Sequence, residues 1–292
     1  MTQDRPCPVC ASATGRSIGE LPVTHPGQFS RNHFTLVECG CGLVYLSPLP
    51  TDGDLEELYV RSEQFSSATY MDAERVVAVL TYVKDRLGVL LADRSIDAPA
   101  LKILEVGAGR AWMCRAAKEM GLAAETVAQD VSSECRDACP WVDHYVIGDV
   151  DPARLRDYGS FDVISMTHVF EHLSDPVGML QTLAALLRPG GTVFITMPYR
   201  PSAWDGSIEG WLRYAHNHVP AHLQYFSESS LALAARKAGL HQAFWDSSHE
   251  NGEAMEAHLK LPDRIIAKDE VVRTKRSKGF LDWIRDVFSP SS

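Results

Sequence analysis

The sequence contains no apolar run approaching the ~18 residues that a membrane-spanning helix needs. Its start, Met1 to Cys10, lacks the apolar core of a secretory signal, so the cytoplasm is the expected location. Net positive charge is missing as well: 28 Lys and Arg stand against 38 Asp and Glu, a formal charge of -10. An acidic chain repels phosphate backbones, which argues against nucleic acid as a partner. The local exception is the basic run Arg273 to Lys278. Internal repeats and low-complexity tracts are absent. The seven cysteines cannot all pair, and an odd count in a cytosolic chain argues against a disulfide framework.

What is present is ordinary for a globular protein: 45% hydrophobic and 23% charged residues. A length of 292 residues suffices for one large α/β domain plus a small module. Residues 1–50, rich in Cys, Gly and Pro, read as a loop-and-hairpin module ending at Pro48 and Pro50. Residues 51–98 read as a helical bridge, with a capping role over a site in view. Val76, Val79, Leu80, Val83, Leu87 and Leu90 recur there at helical spacing. From 99 to 265 short apolar runs alternate with helical stretches. The expected strands are 101–106, 125–130, 144–147, 161–166, 192–197, 241–246 and 253–261. The expected helices lie near 111–120, 132–138, 176–188 and 227–238. Alternation of this kind predicts βαβ units and a mostly parallel sheet covered on both faces. Asp175 before Pro176 marks a helix start, and Pro189-Gly190-Gly191 a stop and tight turn. Residues 198–226, aromatic and His-rich, read as an insertion over the substrate. Residues 266–292 read as a basic, amphipathic tail that packs on its own domain.

Four cysteines cluster near the N-terminus. Cys7-Pro-Val-Cys10 and Cys39-Gly-Cys41-Gly can each turn two thiolates toward one point, and four thiolates suit a closed, structural tetrahedral Zn²⁺ site. Cys114, Cys135 and Cys139 read as core thiols.

The strongest chemical signal is Leu101-Lys-Ile-Leu-Glu105-Val-Gly107-Ala-Gly109-Arg-Ala111, an apolar strand running through an acid into a glycine turn before a helix. Glycines there let the backbone approach a ligand at the carboxyl edge of a parallel sheet. Glu105 would crowd a pyrophosphate but suits a cofactor with a cationic methionyl end. Asp130, closing the next strand, is placed to accept two ribose hydroxyls. Asp149, after the third strand, is placed to meet an adenine amino group. Acids after three successive strands make a specific pattern where a lone Gly-x-Gly would not.

These runs, together with Phe161-Asp-Val-Ile-Ser165, Phe170-Glu171-His172-Leu-Ser-Asp-Pro176, Leu187-Arg-Pro-Gly-Gly191 and His222-Leu-Gln-Tyr-Phe-Ser227, resemble Rossmann-like methyltransferases that use S-adenosylmethionine (SAM). Within that superfamily they resemble the bacterial branch with an N-terminal Cys-x-x-Cys zinc module, which includes sugar C-methyltransferases. The resemblance implies a seven-stranded sheet with an antiparallel last strand, and cofactor contacts at Glu105, Gly107, Gly109, Asp130 and Asp149. The chain departs from those sugar enzymes in lacking their long C-terminal domain. Ala111 stands where a third glycine is usual, a small residue that should cost little.

Methyl transfer to a hydroxyl or carbon acid needs a base. His168, at the carboxyl end of the fourth strand, is the first candidate, His222 on the insertion the second and Glu171 the third. His216-x-His218-x3-His222 has the look of metal-ligand spacing, but no carboxylate neighbours it in sequence. It reads instead, with Trp204, Trp211 and Tyr214, as a wall for the substrate. The expected activity is SAM-dependent methylation of a small molecule, a sugar or natural-product intermediate. RNA or protein methylation is the alternative, and an oxidoreductase or a non-catalytic module on the same fold is the competing class.

Overall fold

The computed structural model describes residues 5–25, 27–58, 72–92, 101–200, 204–249 and 254–262. The basic tail expected at 266–292 lies outside them. Near the N-terminus, alternating apolar and polar residues form an antiparallel meander of β1 (Gly15–Pro22), β2 (His33–Cys39) and β3 (Val44–Ser47). Helix α1 (Asp52–Glu56) begins at Thr51, whose hydroxyl accepts from the Asp54 amide while Asp54 caps in return. Helix α2 (Ala73–Ala92) turns its Val79, Leu80, Leu87 and Leu90 stripe inward against α3 (Trp112–Glu119). It therefore supports the sheet from outside, and its described contacts do not make it a cap over the site.

The large sheet follows as β4 (Leu101–Val106), β5 (Ala123–Asp130), β6 (His144–Ile147), β7 (Phe161–Thr167) and β8 (Leu187–Pro198), all parallel. Two further strands, β10 (His241–His249) and β11 (Ala254–Lys260), complete it, β11 running antiparallel to both neighbours. The order is β10-β11-β8-β7-β4-β5-β6, as the seven-stranded expectation required. Helices α4 (Pro152–Arg156), α5 (Pro176–Ala184), α6 (Ile208–Leu212) and α7 (Glu228–Lys237) fill the connections. The central strands β4 and β7 are buried on both faces, so they read as near-continuous apolar runs rather than alternating ones.

Three local expectations need correction. The stretch 132–138 forms only a single 3₁₀ turn at Arg136–Ala138, tied down by the Asp130 carboxylate accepting from the Ser132 amide. Helix α5 ends at Ala184, and Pro189 to Gly191 lie inside β8 as an irregularity in its pairing with β7. There the Gly190 amide donates to the Leu261 carbonyl and the Leu261 amide to Gly191, so the edge stays paired. Lastly, the N-terminal module does not close on itself. β9 (Gln224–Tyr225), from the insertion, adds a fourth strand beside β3.

That shared sheet carries its own core. Leu21, Phe34, Leu36, Val44 and Leu46 from the module pack against Trp211, Tyr214, Val219 and Tyr225 from the insertion. Trp211 and Tyr225 are almost fully buried. A large aromatic ring buries roughly 150–250 Å², about 4–6 kcal/mol of transfer free energy at ~25 cal/mol per Å². Two such rings supplied from outside the module are a large share of the core a small sheet can build.

The Asp175 carboxylate accepts from the Gly178 amide at 2.9 Å, the side-chain cap the sequence announces. Asp175→Ala should lower the unfolding free energy by about 1 kcal/mol, the usual worth of an N-cap, read by denaturant titration.

Candidate active site

The chain order of the parallel strands reverses between β4 and β7, and ligands of open α/β sheets bind beyond the carboxyl ends at such a switch point. Two turns meet there. After β4, Gly107 has φ +61°, and a Cβ on it would overlap the Val169 side chain. Only glycine meets both conditions. Ala111 is also left-handed, at φ +52°, and fully buried. Its small size does not settle the matter, because an L-residue in that conformation costs roughly 1–2 kcal/mol.

The glycine turn is held from the neighbouring strands. Asp130 at the end of β5 accepts from the Gly109 amide at 2.8 Å with one oxygen and from the Ser132 amide at 2.9 Å with the other. The Tyr145 hydroxyl, from β6, donates to the Gly109 carbonyl at 2.8 Å, and the Cys139 thiol approaches the same carbonyl at 3.7 Å. Trp141 donates its indole N–H to the Ala111 carbonyl at 3.2 Å and carries the Arg115 guanidinium over its ring. Sequence reading missed Tyr145, Trp141 and Cys139 as supports; nothing in their spacing marks them. Asp149 follows β6 and is exposed.

Glu105 is buried, and one of its oxygens accepts from the Cys114 amide in the first turn of α3 at 3.0 Å. Burial drives its pKa up to about 7 against the pull of the α3 amides, with the Asp130 charge adding to the rise.

After β7, His168 takes φ +53°, its amide donating to the Thr196 carbonyl at 2.9 Å. Histidine is among the residues enriched in that region, and such strain gathers at functional sites. Its Nδ1 lies 3.5 Å from Oε1 of Glu171, and 35% of the side chain stays open. Glu171, on a 3₁₀ turn at Phe170–His172, is completely buried. Burial would push its carboxyl up, but the neighbouring His168 and His172 outweigh it and hold the group below the usual range. His222 sits across from this turn with Nε2 3.9 Å from the same oxygen, and burial keeps its ring neutral. All three candidate bases thus fall within one small cluster.

The insertion corrects two expectations. Trp211 and Tyr214 line no substrate wall; they belong to the core shared with the N-terminal sheet, with Trp204 packed against it. Furthermore, a carboxylate does neighbour the histidines: Glu171, from another part of the chain, adjoins His172 and His222.

In the N-terminal module the Sγ atoms of Cys7 and Cys41 lie 3.7 Å apart and those of Cys10 and Cys39 3.3 Å, all four within 4.8 Å of one another. Four sulfurs at ~2.3 Å from a tetrahedral Zn²⁺ would stand about 3.8 Å apart, so the donor set fits. Ser229 donates to the Cys41 carbonyl at 3.2 Å, joining this corner to the start of α7.

A doubly wound sheet with a glycine turn at its switch point and an acid closing the adjacent strand is the arrangement of a Rossmann-like nucleotide-cofactor domain. The family model described as "Methyltransferase domain" matches residues 77–242, and the chain belongs to that family. Among curated relatives, the ubiquinone biosynthesis O-methyltransferase of Xanthomonas campestris pv. campestris is 28% identical over 155 residues, covering 49% of this chain and 63% of its own. Its counterpart in Ralstonia nicotianae is 34% identical over 93 residues, covering 30% and 39%. The chain thus spans less than two thirds of the length of these relatives. The solved 1,6-didemethyltoxoflavin-N1-methyltransferase of Burkholderia thailandensis, with its substrate and S-adenosylhomocysteine bound, shares the fold: TM-score 0.51, 15% identity, covering 82% of this chain and 100% of that one.

Because Glu105 holds its proton more tightly folded than unfolded, it favours folding below pH ~4.5, and that contribution is lost as pH rises through about 7. Glu105→Gln should therefore match the parent near pH 4.5. At pH 8, without ligand, it should be more stable by on the order of 2–3 kcal/mol, measured by denaturant unfolding at both pH values.

Proposed function

We propose that the chain transfers the methyl group of SAM to a hydroxyl of a small molecule. One observation carries this reading: His168, with buried Glu171 3.5 Å from its Nδ1, stands at the carboxyl end of β7, and the next residue, Val169, sets its side chain against the Gly107 turn that follows β4. A base at that place is what a hydroxyl acceptor requires. SAM, when bound, supplies an electrophilic methyl group whose bond to sulfur breaks, the electron pair staying on sulfur, as the bond to the acceptor oxygen forms.

The chain's own residues do the rest. The Gly107–Gly109 turn admits the adenosyl group to the sheet edge, and Asp130 accepts from its ribose hydroxyls. Buried Glu105 offers negative charge to the cationic methionyl end, which explains why a carboxylate sits where it costs stability. His168 takes the acceptor's proton on the ring nitrogen opposite Glu171, whose negative charge stabilises the imidazolium that results. Asp149 adjoins the adenine. The names of the curated relatives, both O-methyltransferases, agree with a hydroxyl acceptor. Carbon methylation of a sugar, as in the zinc-module branch, would need the same base, and product analysis separates the two.

Asp130→Ala should weaken SAM binding at least tenfold, about 1.4 kcal/mol, by calorimetry. His168→Ala should slow methyl transfer about a hundredfold or more while SAM affinity barely moves. An equal loss of SAM affinity in His168→Ala would place that residue in the cofactor pocket instead.

The four cysteines hold a structural zinc ion in this proposal, supported by their spacing and by the rigid hydrogen bonds of both turns, Ala11 to Cys7 and Gly42 to Cys39. Metal analysis of the purified chain should give about one zinc per chain, and its removal should unfold the module. A metal-free chain with an intact module would refute it.

A further inference from the structure

Carboxylates are seldom buried without donors, yet Glu171 is fully buried and, among the described residues, no donor reaches its oxygens at ordinary hydrogen-bond length, the nearest being Nδ1 of His168 at 3.5 Å from Oε1. What surrounds it is unusual in a specific way. His172 has its Nδ1 2.9 Å from the Ala221 carbonyl, and His222 has its Nδ1 2.9 Å from the His216 carbonyl. A carbonyl only accepts, so each Nδ1 carries the hydrogen, and in the neutral ring each Nε2 presents a lone pair. Those two nitrogens lie 3.8 and 3.9 Å from Oε1 of Glu171. The distances are too long for hydrogen bonds, which end near 3.2 Å. They come near the spacing of two ligands of one ion: donors ~2.1 Å from a metal stand about 3.4 Å apart in a tetrahedral site, so each imidazole need draw in by only about half an ångström. Three electron-pair donors, two from the turn after β7 and one from the insertion, thus converge in a buried place.

We propose that Glu171, His172 and His222 bind a first-row divalent metal cation beside the methyl-transfer site. The backbone carbonyls on the two Nδ1 atoms are the outer partners that fix metal-binding imidazoles in the correct tautomer and orientation. Two imidazoles and a carboxylate suit manganese, iron, cobalt, nickel or zinc, and three protein ligands leave positions open. The donor set is distinct from that of the cysteine site, which offers only sulfur. The consequence for the acceptor rests on the function proposed above. Its hydroxyl oxygen takes an open position, the cation draws electron density from it, and its proton passes to His168 at lower cost. The metal binding itself does not rest on that reading.

The test uses the full chain with zinc in its cysteine site, titrated with Mn²⁺ alone, the free ion being followed by its paramagnetic resonance signal. Mn²⁺ is chosen because thiolates bind it poorly. One Mn²⁺ should bind per chain. Glu171→Gln and His172→Gln should each weaken binding at least tenfold, with the thermal transition and SAM affinity preserved as evidence of folding. His222→Ala, which leaves a cavity, is judged by the same controls. Failure of the parent chain to take up Mn²⁺, or undiminished uptake by folded Glu171→Gln, would overturn the proposal. Methyl transfer that persists in chelator and falls only in His168→Ala would leave the function standing without the metal. Mn²⁺ uptake lost in Glu171→Gln, in a chain that methylates no hydroxyl, would establish the metal site and refute the acceptor.

Discussion

The site depends on a short relay of backbone hydrogen bonds through Leu223. Its carbonyl accepts from Leu46 of β3 at 3.0 Å, and its amide donates to the carbonyl of Glu171 at 2.9 Å. One residue therefore ties the N-terminal sheet to the turn carrying the buried carboxylate. Gln224 reinforces the tie, its side-chain amide donating to the Leu173 carbonyl at 2.7 Å. Arg5 adds another, donating to Ser174 while its guanidinium lies near the ring of Tyr45. The cysteine module is thus part of the framework that positions His222. Backbone bonds of this kind transmit position without adjustable torsions, so the histidine's placement is set by the sheet and not by its own rotamer alone.

Two buried carboxylates give the cleft its electrical character, and they reach it by different means. Glu105 is partly satisfied by the first turn of α3 and drifts toward neutrality. Glu171 stays ionised because histidines crowd it. A protein built for stability alone would have amides or apolar residues at both places. Their presence beside the switch point, one near the end of β4 and the other on the turn after β7, is the kind of local inconsistency that marks a functional site.

The parallel sheet was legible because its strands are buried on both faces and stand out as apolar runs, as in β4 and β7. The glycine turn between β4 and α3 was legible because an acid and two glycines stand at fixed offsets from a strand end. The helix expected at 132–138 failed because the Asp130 carboxylate captures the Ser132 amide and shortens the segment to one 3₁₀ turn. The aromatic residues of the insertion were misread for a different reason. Trp211 and Tyr214 have no periodicity to separate a core side chain from a binding wall, and the partner sheet that buries them lies more than 150 residues away in sequence. A smaller separation, from Glu171 to His222, hid the link between those two residues. A cluster assembled from two loops leaves no spacing to read.

Val169 lies between His168 and Glu171 in sequence and against Gly107 in space. The two loops of the cleft are consequently locked like adjoining gear teeth. Neither can be reshaped by drift without displacing the other, so the loop after β7 is a poor place for the lineage to explore new acceptors. The same constraint reaches the insertion through Leu223 and Gln224, so a change in any one of these three segments is felt by the other two.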